Sequence, residues 1–180
     1  MKTPIIAALI LAALPGLTTR SAFATDLTQP QQTAIRQEVD QFMKAWIAAW
    51  ERLDLEAAMK GEADTPDFLY ADVDGNQYDK AGLRKLCVDM VATCTGEKVI
   101  TQKERIYVLA PDAALYAWHG AVEFTQKDGA VMRIDPYNAS FLLKRIDGNW
   151  KIVLQHESAL PPQPVKPAAP SGASMKIQTP

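Results

Sequence analysis

Hydrophobic positions along the chain fall into two regimes, first spaced by three and four, later alternating. Between residues 33 and 53 apolar side chains recur at Ile35, Val39, Phe42, Trp46, Trp50 and Leu53. That spacing predicts an amphipathic helix with an aromatic-rich buried stripe. Asp54 is placed to cap a second, short helix whose inner residues are Leu55, Ala58 and Met59. After Gly61 and Pro66 the stretch DFLYADVDG, residues 67–75, alternates as a strand over 68–73. Asp79 then caps a third helix with Leu83, Leu86, Cys87 and Met90 on its inner side, ending before Gly96. Four long alternating segments follow at 98–109, 113–126, 131–146 and 149–158, punctuated by Pro111-Asp112, Asp128-Gly129 and Asp147-Gly148. Each dipeptide reads as a two-residue hairpin loop. Three helices followed by an antiparallel meander predict an α+β domain in which a curved sheet wraps the helices.

The turns also predict a register. A two-residue loop at 128–129 pairs Trp118 with Ala139, Tyr116 with Phe141 and Phe124 with Arg133. A two-residue loop at 147–148 pairs Leu143 with Ile152, Phe141 with Leu154 and Ala139 with His156. Tyr116, Trp118, Tyr137, Phe141, Trp150, Ile152 and His156 then share the concave face, and His119, Glu123, Asn138 and Gln155 the outer one. Glu104 is expected beside His119. An extra residue in either turn would reverse one strand's facing.

The two ends differ from this core. MKTPIIAALILAALPGLTTRSAFATD carries a basic start at Lys2, an apolar run from Ile5 to Leu14 and the small-x-small triplet Ala22-Phe23-Ala24. This is the pattern of a secretory signal over 1–24, with the mature chain beginning near Thr25, and the run is too short to span a bilayer. Residues 161–180 are rich in Pro, Ala and Ser and predict an extended, disordered tail. One domain, 25–160, lies between, and its location is expected to be periplasmic or secreted.

Nineteen basic and twenty-one acidic residues give a net charge of −2. Loss of Lys2 and Arg20 with the signal makes the remainder more acidic, and no basic stripe interrupts it. Nucleic acid is therefore not an expected partner, nor is a membrane once the signal is gone. Cys87 and Cys94, seven residues apart, would lie roughly 10 Å apart on one helix, too far for a disulfide unless the helix ends before Cys94. No HxH, HxxxH or CxxC spacing suggests a metal, and no GxSxG or phosphate-cradling glycine loop is present. No cofactor is expected.

Candidate chemistry is confined to a few residues. Asp72 shares a strand face with Phe68 and Tyr70. It is either a general base raised toward neutrality by burial or a solvated strand-end carboxylate that organises the turn at Asp74-Gly75. His156 ends an inward apolar row near Tyr137 and Ala139. It is either a core-rim histidine bonded to a backbone carbonyl or an acid–base group. Trp46, Phe68, Tyr70, Trp118, Tyr137 and Phe141 are the candidate walls of a ligand pocket.

Taken together, AWIAAWERLDLEAAM, YADVDG and the closing RIDGNWKIVLQHES resemble the NTF2-like superfamily, in particular its SnoaL-like, ketosteroid-isomerase-like branch. The resemblance covers about residues 33–160. It implies a cone-shaped α+β barrel with a pocket between sheet and helices, often dimeric through the outer sheet face. It places Asp72, three residues before Gly75, where isomerases carry their base. Trp46 stands where they carry an oxyanion-donating tyrosine, and no acid stands at 140–142 for their second donor. The expected function is an exported domain binding a small, largely apolar molecule. The alternatives are an isomerase- or lyase-type enzyme using Asp72 or His156, and a dimeric interaction module with a filled pocket.

Overall fold

The computed structural model describes residues 27–165, so the predicted signal and most of the predicted tail lie outside the described residues. Helix α1 spans Gln29–Glu51, beginning earlier than the apolar spacing indicates. Thr28 forms a capping box with Gln31, and Pro30 sits in the first turn, so the polar residues 29–32 are drawn into the helix. At the other end Leu53 takes the left-handed conformation, φ 54°. The Asp54 N–H then bonds the Ala49 carbonyl and the Leu53 N–H the Trp50 carbonyl, which closes the helix and turns the chain back. Asp54 caps α2, Leu55–Met59, by accepting from the Ala57 N–H.

Strands β1, Leu69–Ala71, and β2, Gln77–Tyr78, form a small hairpin, and Asp79 caps α3, Lys80–Thr93. The long strands are β3, Cys94–Ala110; β4, Ala113–Gln126; β5, Val131–Ile146; and β6, Asn149–Ala159. They stand in the order β2-β1-β6-β5-β4-β3, with β1 parallel to β6 and every other neighbour antiparallel. The sheet is thus mixed rather than wholly antiparallel. A last strand, β7, Gln163–Pro164, pairs with Met132 and Arg133 of β5. The first residues of the predicted tail therefore belong to the sheet.

The helices lie on the concave face, and the core joins both layers. Val39 and Met43 of α1, Ala58 of α2 and Leu83 of α3 pack with Tyr116, Leu143 and Ile152 of the sheet. Leu86, expected inward, is largely exposed on α3. Because α3 ends at Thr93 and β3 starts at Cys94, the two cysteines sit on different elements, and both are free thiols.

Two irregularities decide what faces the concave side. The hairpin at Asp128-Gly129 holds a three-residue loop, since Gln126 donates to the Ala130 carbonyl, and Phe124 pairs with Met132 rather than Arg133. A shift between Gly120 and Val122, opposite Asp135-Pro136, restores the predicted pairs Trp118–Ala139 and Tyr116–Phe141. The hairpin at Asp147-Gly148 is the two-residue loop expected, with positive φ at both positions. Farther along β6, however, Val153 is an extra residue: Leu143 pairs with Ile152 but Leu142 with Leu154. Phe141 consequently faces Gln155, and Ala139 faces Glu157. The bulge falls where the other neighbour of β6 changes. Ile152 is held on that side by Gly61 and Ala63, whereas Leu154 begins the pairing with Leu69 of β1. From this point on, the residues expected inside lie outside, and their neighbours take their places.

Candidate functional site

Between α1, α3 and the concave sheet lies a cavity of about 160 Å3. Its helical wall comes from Trp46, Ile47 and Trp50 of α1 with Leu83, Cys87 and Met90 of α3. The sheet supplies Tyr116, Trp118, Tyr137 and Phe141, and β1 contributes Tyr70. Its polar groups are Glu97 of β3 with Gln155 and Glu157 of β6, and none of the residues lining it is Lys, Arg or His.

The aromatic walls are fixed by contacts with one another. Trp46 meets Trp50 edge-on at 5.8 Å between centroids and Phe141 at 5.2 Å, and Trp118 meets Tyr137 at 5.7 Å. Such edge-to-face pairs contribute about 0.5–1.5 kcal/mol each beyond the area they bury. The Trp118 indole donates to Thr101 at 2.8 Å, and the Tyr116 hydroxyl donates to Glu104 at 2.6 Å. Trp46 is additionally seated by the segment after α2. A Cβ at Gly61 would lie 2.6 Å from its ring, and its N–H donates to Glu62 at 3.2 Å. Glu62 is only 1% exposed, and burial pushes its carboxyl up to about 8, against the pull of the Trp46 N–H and Lys80. Burial therefore favours the neutral form of the carboxyl behind the wall.

At the polar end, Glu157 takes the Tyr70 hydroxyl at 2.7 Å on one oxygen and the Gln155 amide nitrogen at 2.6 Å on the other. The Tyr137 hydroxyl also faces it, and burial followed by this carboxylate raises the Tyr137 phenol well above its ordinary range. Since a carboxylate only accepts, the Gln155 nitrogen must be the atom turned toward it, which leaves the Gln155 amide oxygen free. Gln155 is 6% exposed, and that oxygen has no protein partner. One oxygen of Glu97 and the Trp50 indole nitrogen are likewise buried without partners. Burial, then Glu51, then Glu157 push the Glu97 carboxyl up to about 7. Glu97 can therefore hold or release a proton near neutral pH, the property a general acid or base needs. Burial, followed by Glu157, Glu62 and Glu97, raises the neighbouring Cys87 thiol to about 12, which makes it a poor nucleophile.

The predicted site residues divide sharply. Trp46, Tyr70, Trp118, Tyr137 and Phe141 line the cavity, whereas Phe68 is buried in the core beside it. Asp72 is in the β1–β2 turn, not in the cavity. It accepts from the N–H groups of Asp74 and Asn76 and from the Asn76 side chain. Slight burial pushes its carboxyl up, but those bonds and one from Tyr78 outweigh that and hold it below the usual range. That is the turn-organising alternative, and it does not suit a base working near neutrality. His156 is exposed on the outer face because the Val153 bulge reverses its facing. His119 does lie outside, bonded to Asn138 at 2.9 Å, but the residue opposite it is Lys103, not Glu104. Glu97, Gln155 and Glu157 were missed. For the last two, the only available signal was that HES presents its histidine and glutamate to opposite faces. Among the described residues no group of His, Cys, Asp and Glu side chains could hold a metal, and no helix is long and apolar enough to cross a membrane.

Helices packed on one face of a curved sheet, enclosing a cavity, make this an α+β cone of the NTF2-like class. Solved structures agree. A protein of the NTF2-like superfamily from Salmonella enterica serovar Typhimurium is 16% identical, with a TM-score of 0.63 over 78% of this chain and 99% of that one. An NTF2-like protein of unknown function from Pseudomonas putida is 22% identical, with a TM-score of 0.57 over 71% and 88%. The hexachlorocyclohexane dehydrochlorinase LinA-type3 from Novosphingobium barchaimii is 12% identical, with a TM-score of 0.63 over 85% and 100%. At these identities the likeness shows a shared fold. No curated protein matches in sequence. The family model of the calcium/calmodulin dependent protein kinase II association domain matches residues 35–161, and the chain belongs to that family.

Proposed function

We propose that this domain binds a small, largely apolar molecule in the cavity, held at its polar end by Glu97, Gln155 and Glu157. One observation carries the reading: buried, unpartnered polar atoms of Glu97, Gln155 and Trp50 belong to side chains that line a hollow otherwise walled largely by apolar and aromatic side chains. Such groups cost roughly 1–3 kcal/mol each when left unpaired, and a ligand that meets them recovers that cost. The volume suits one ring or its equivalent, since an apolar cavity of about 150 Å3 accepts benzene. Export belongs to the same proposal on the strength of the pattern at residues 1–24. Native mass spectrometry of protein purified from its own host tests the reading. A small molecule should accompany the wild type and be absent from Ala139→Leu, which fills the hollow from β5. Equal occupancy in both would refute it.

Two further readings have specific support. The position of the Glu97 carboxyl near neutrality favours proton transfer to or from the bound molecule. Glu97→Gln would then lower turnover by far more than it weakens binding. Membership of a family named for association favours self-association, with the outer sheet face as the proposed contact. Light scattering coupled to size exclusion would refute that reading by returning the mass of a single chain.

A further inference from the structure

The proposed function leaves the ligand's chemistry open, and the lining narrows it. We infer that the cavity is built for a small organic cation, an ammonium or quaternary ammonium head no larger than a single ring, with its charge between Glu157 and Glu97 and its carbon surface against the aromatic walls. This rests on the cavity being a ligand site and goes beyond it in assigning the charge.

Three independent features of the lining agree. Two carboxyl groups, Glu97 and Glu157, reach the cavity, and no cationic side chain lining it offsets them. The remaining free polar atom of β6 is the Gln155 amide oxygen, an acceptor by virtue of the Glu157 bond to its nitrogen, and buried without a donor. A ligand that carries an N–H can supply the donor that oxygen lacks, which a wholly apolar one cannot. The walls present the faces and edges of Trp46, Trp50, Tyr70, Trp118 and Tyr137, and aromatic enclosure is the means by which proteins hold quaternary ammonium groups. An anionic ligand would meet two carboxyl groups with no cationic side chain in the lining to offset them. A neutral one carrying an O–H or N–H could pair the acceptor but would leave the charge unused.

The Glu97 carboxyl completes the argument. Glu51 on α1 and Glu157 on β6 face it as acids, and it in turn acts on the Tyr137 hydroxyl of β5 and the Cys87 thiol of α3. Its carboxyl stands at about 7. A cation bound beside it favours the ionised form, so binding is stronger above neutrality than at pH 6.

The test uses matched pairs differing in charge, titrated into the protein by calorimetry and tryptophan fluorescence at pH 8. Choline is compared with 3,3-dimethylbutan-1-ol, and benzylammonium with benzyl alcohol. The expected result is at least a tenfold preference for the charged member of a pair, about 1.4 kcal/mol. In Glu157→Gln and Glu97→Gln, each verified as folded by circular dichroism, the preference within each pair should fall to about threefold or less, whatever happens to the affinity of the neutral member. Equal binding of the two members to the wild type would overturn the cation assignment and leave the cavity reading standing. So would a preference that survives both substitutions. Failure of all four probes to bind the wild type would overturn both readings together.

Discussion

Replacing Glu62 by Gln should make the protein more stable at pH 8 while leaving it unchanged at pH 5. Glu62 sits in the segment between α2 and β1, 1% exposed, with one oxygen taking the Trp46 N–H and the other without a partner. Its carboxyl is ordinary, at 4.5, in the unfolded chain and stands at about 8 when folded. Between those values the native state binds a proton that the unfolded state has released. Stability therefore declines as pH rises through this window and levels off above it. At about 1.4 kcal/mol per pH unit, the loss between pH 5 and pH 8 amounts to about 3–4 kcal/mol, a large part of a domain's net stability. Glutamine is the neutral isostere. It keeps the acceptor for Trp46 and has nothing to ionise, so the variant escapes this loss. Glu97 contributes a decline of the same sign, but it is present in both proteins and drops out of their difference. Urea denaturation at pH 5, 6, 7 and 8 gives that difference directly. The wild type and Glu62→Gln should coincide within about 0.5 kcal/mol at the acid end and separate progressively toward pH 8. A difference that stays flat would show that Glu62 is either paired or solvated in the folded state, and the account of the wall behind Trp46 would fail with it.

Other consequences are simpler to measure. His156→Ala should change stability by no more than about 0.5 kcal/mol and leave ligand binding intact, because the ring is solvated on the outer face; a large loss of binding would refute the facing assigned to β6. Tyr70→Phe removes one of the donors to Glu157 and should cost about 1–3 kcal/mol in thermal or chemical denaturation, the usual range for a bond to a charged group. Gly120→Ala puts a Cβ 2.1 Å from the Ile100 carbonyl oxygen and 2.7 Å from the Trp118 ring, so a loss of about 3 kcal/mol or more and a changed near-ultraviolet dichroism spectrum are expected. In the native protein at pH 8 a thiol reagent should modify Cys94 first, with Cys87 reacting only on unfolding, since Cys87 is buried and its thiol stands at about 12.

What could be read from the sequence, and what could not, follows from which interactions set each feature. The helix stripe of α1, the caps at Asp54 and Asp79 and the loop at Asp147-Gly148 are local. Each is fixed by residues within a few positions of one another, and the chain spells them out. The aromatic walls were legible for a related reason. Trp46, Tyr70 and Phe141 lie on stretches whose period is undisturbed, and at Trp118 the extra residue of the 128–129 loop is cancelled by the shift between Gly120 and Val122. The polar end was not legible, because the facing of Gln155 and Glu157 depends on a residue far away in the chain. The 61–63 segment holds Ile152 through both its N–H and its carbonyl, while β1 aligns at Leu154, and the one-residue mismatch is absorbed at Val153. Reading outward from the turn alone carries the alternation straight through that position and delivers His156 to the cavity. The error therefore exchanged a titratable imidazole for a carboxylate at the same depth of the cone, moving the expected chemistry from a neutral base to an anionic site. Asp72 shows the opposite case. Its strand alternation placed it inward, but the strand ends at Ala71, and the bonds from Asp74 and Asn76 are worth more to that carboxylate than burial. A carboxylate next to a turn glycine is satisfied locally wherever two backbone N–H groups are within reach. By that criterion Glu157 is satisfied by side chains from other elements, Tyr70 of β1 among them, and Glu97, one of whose oxygens is buried without a partner, is the acid its own strand leaves unanswered.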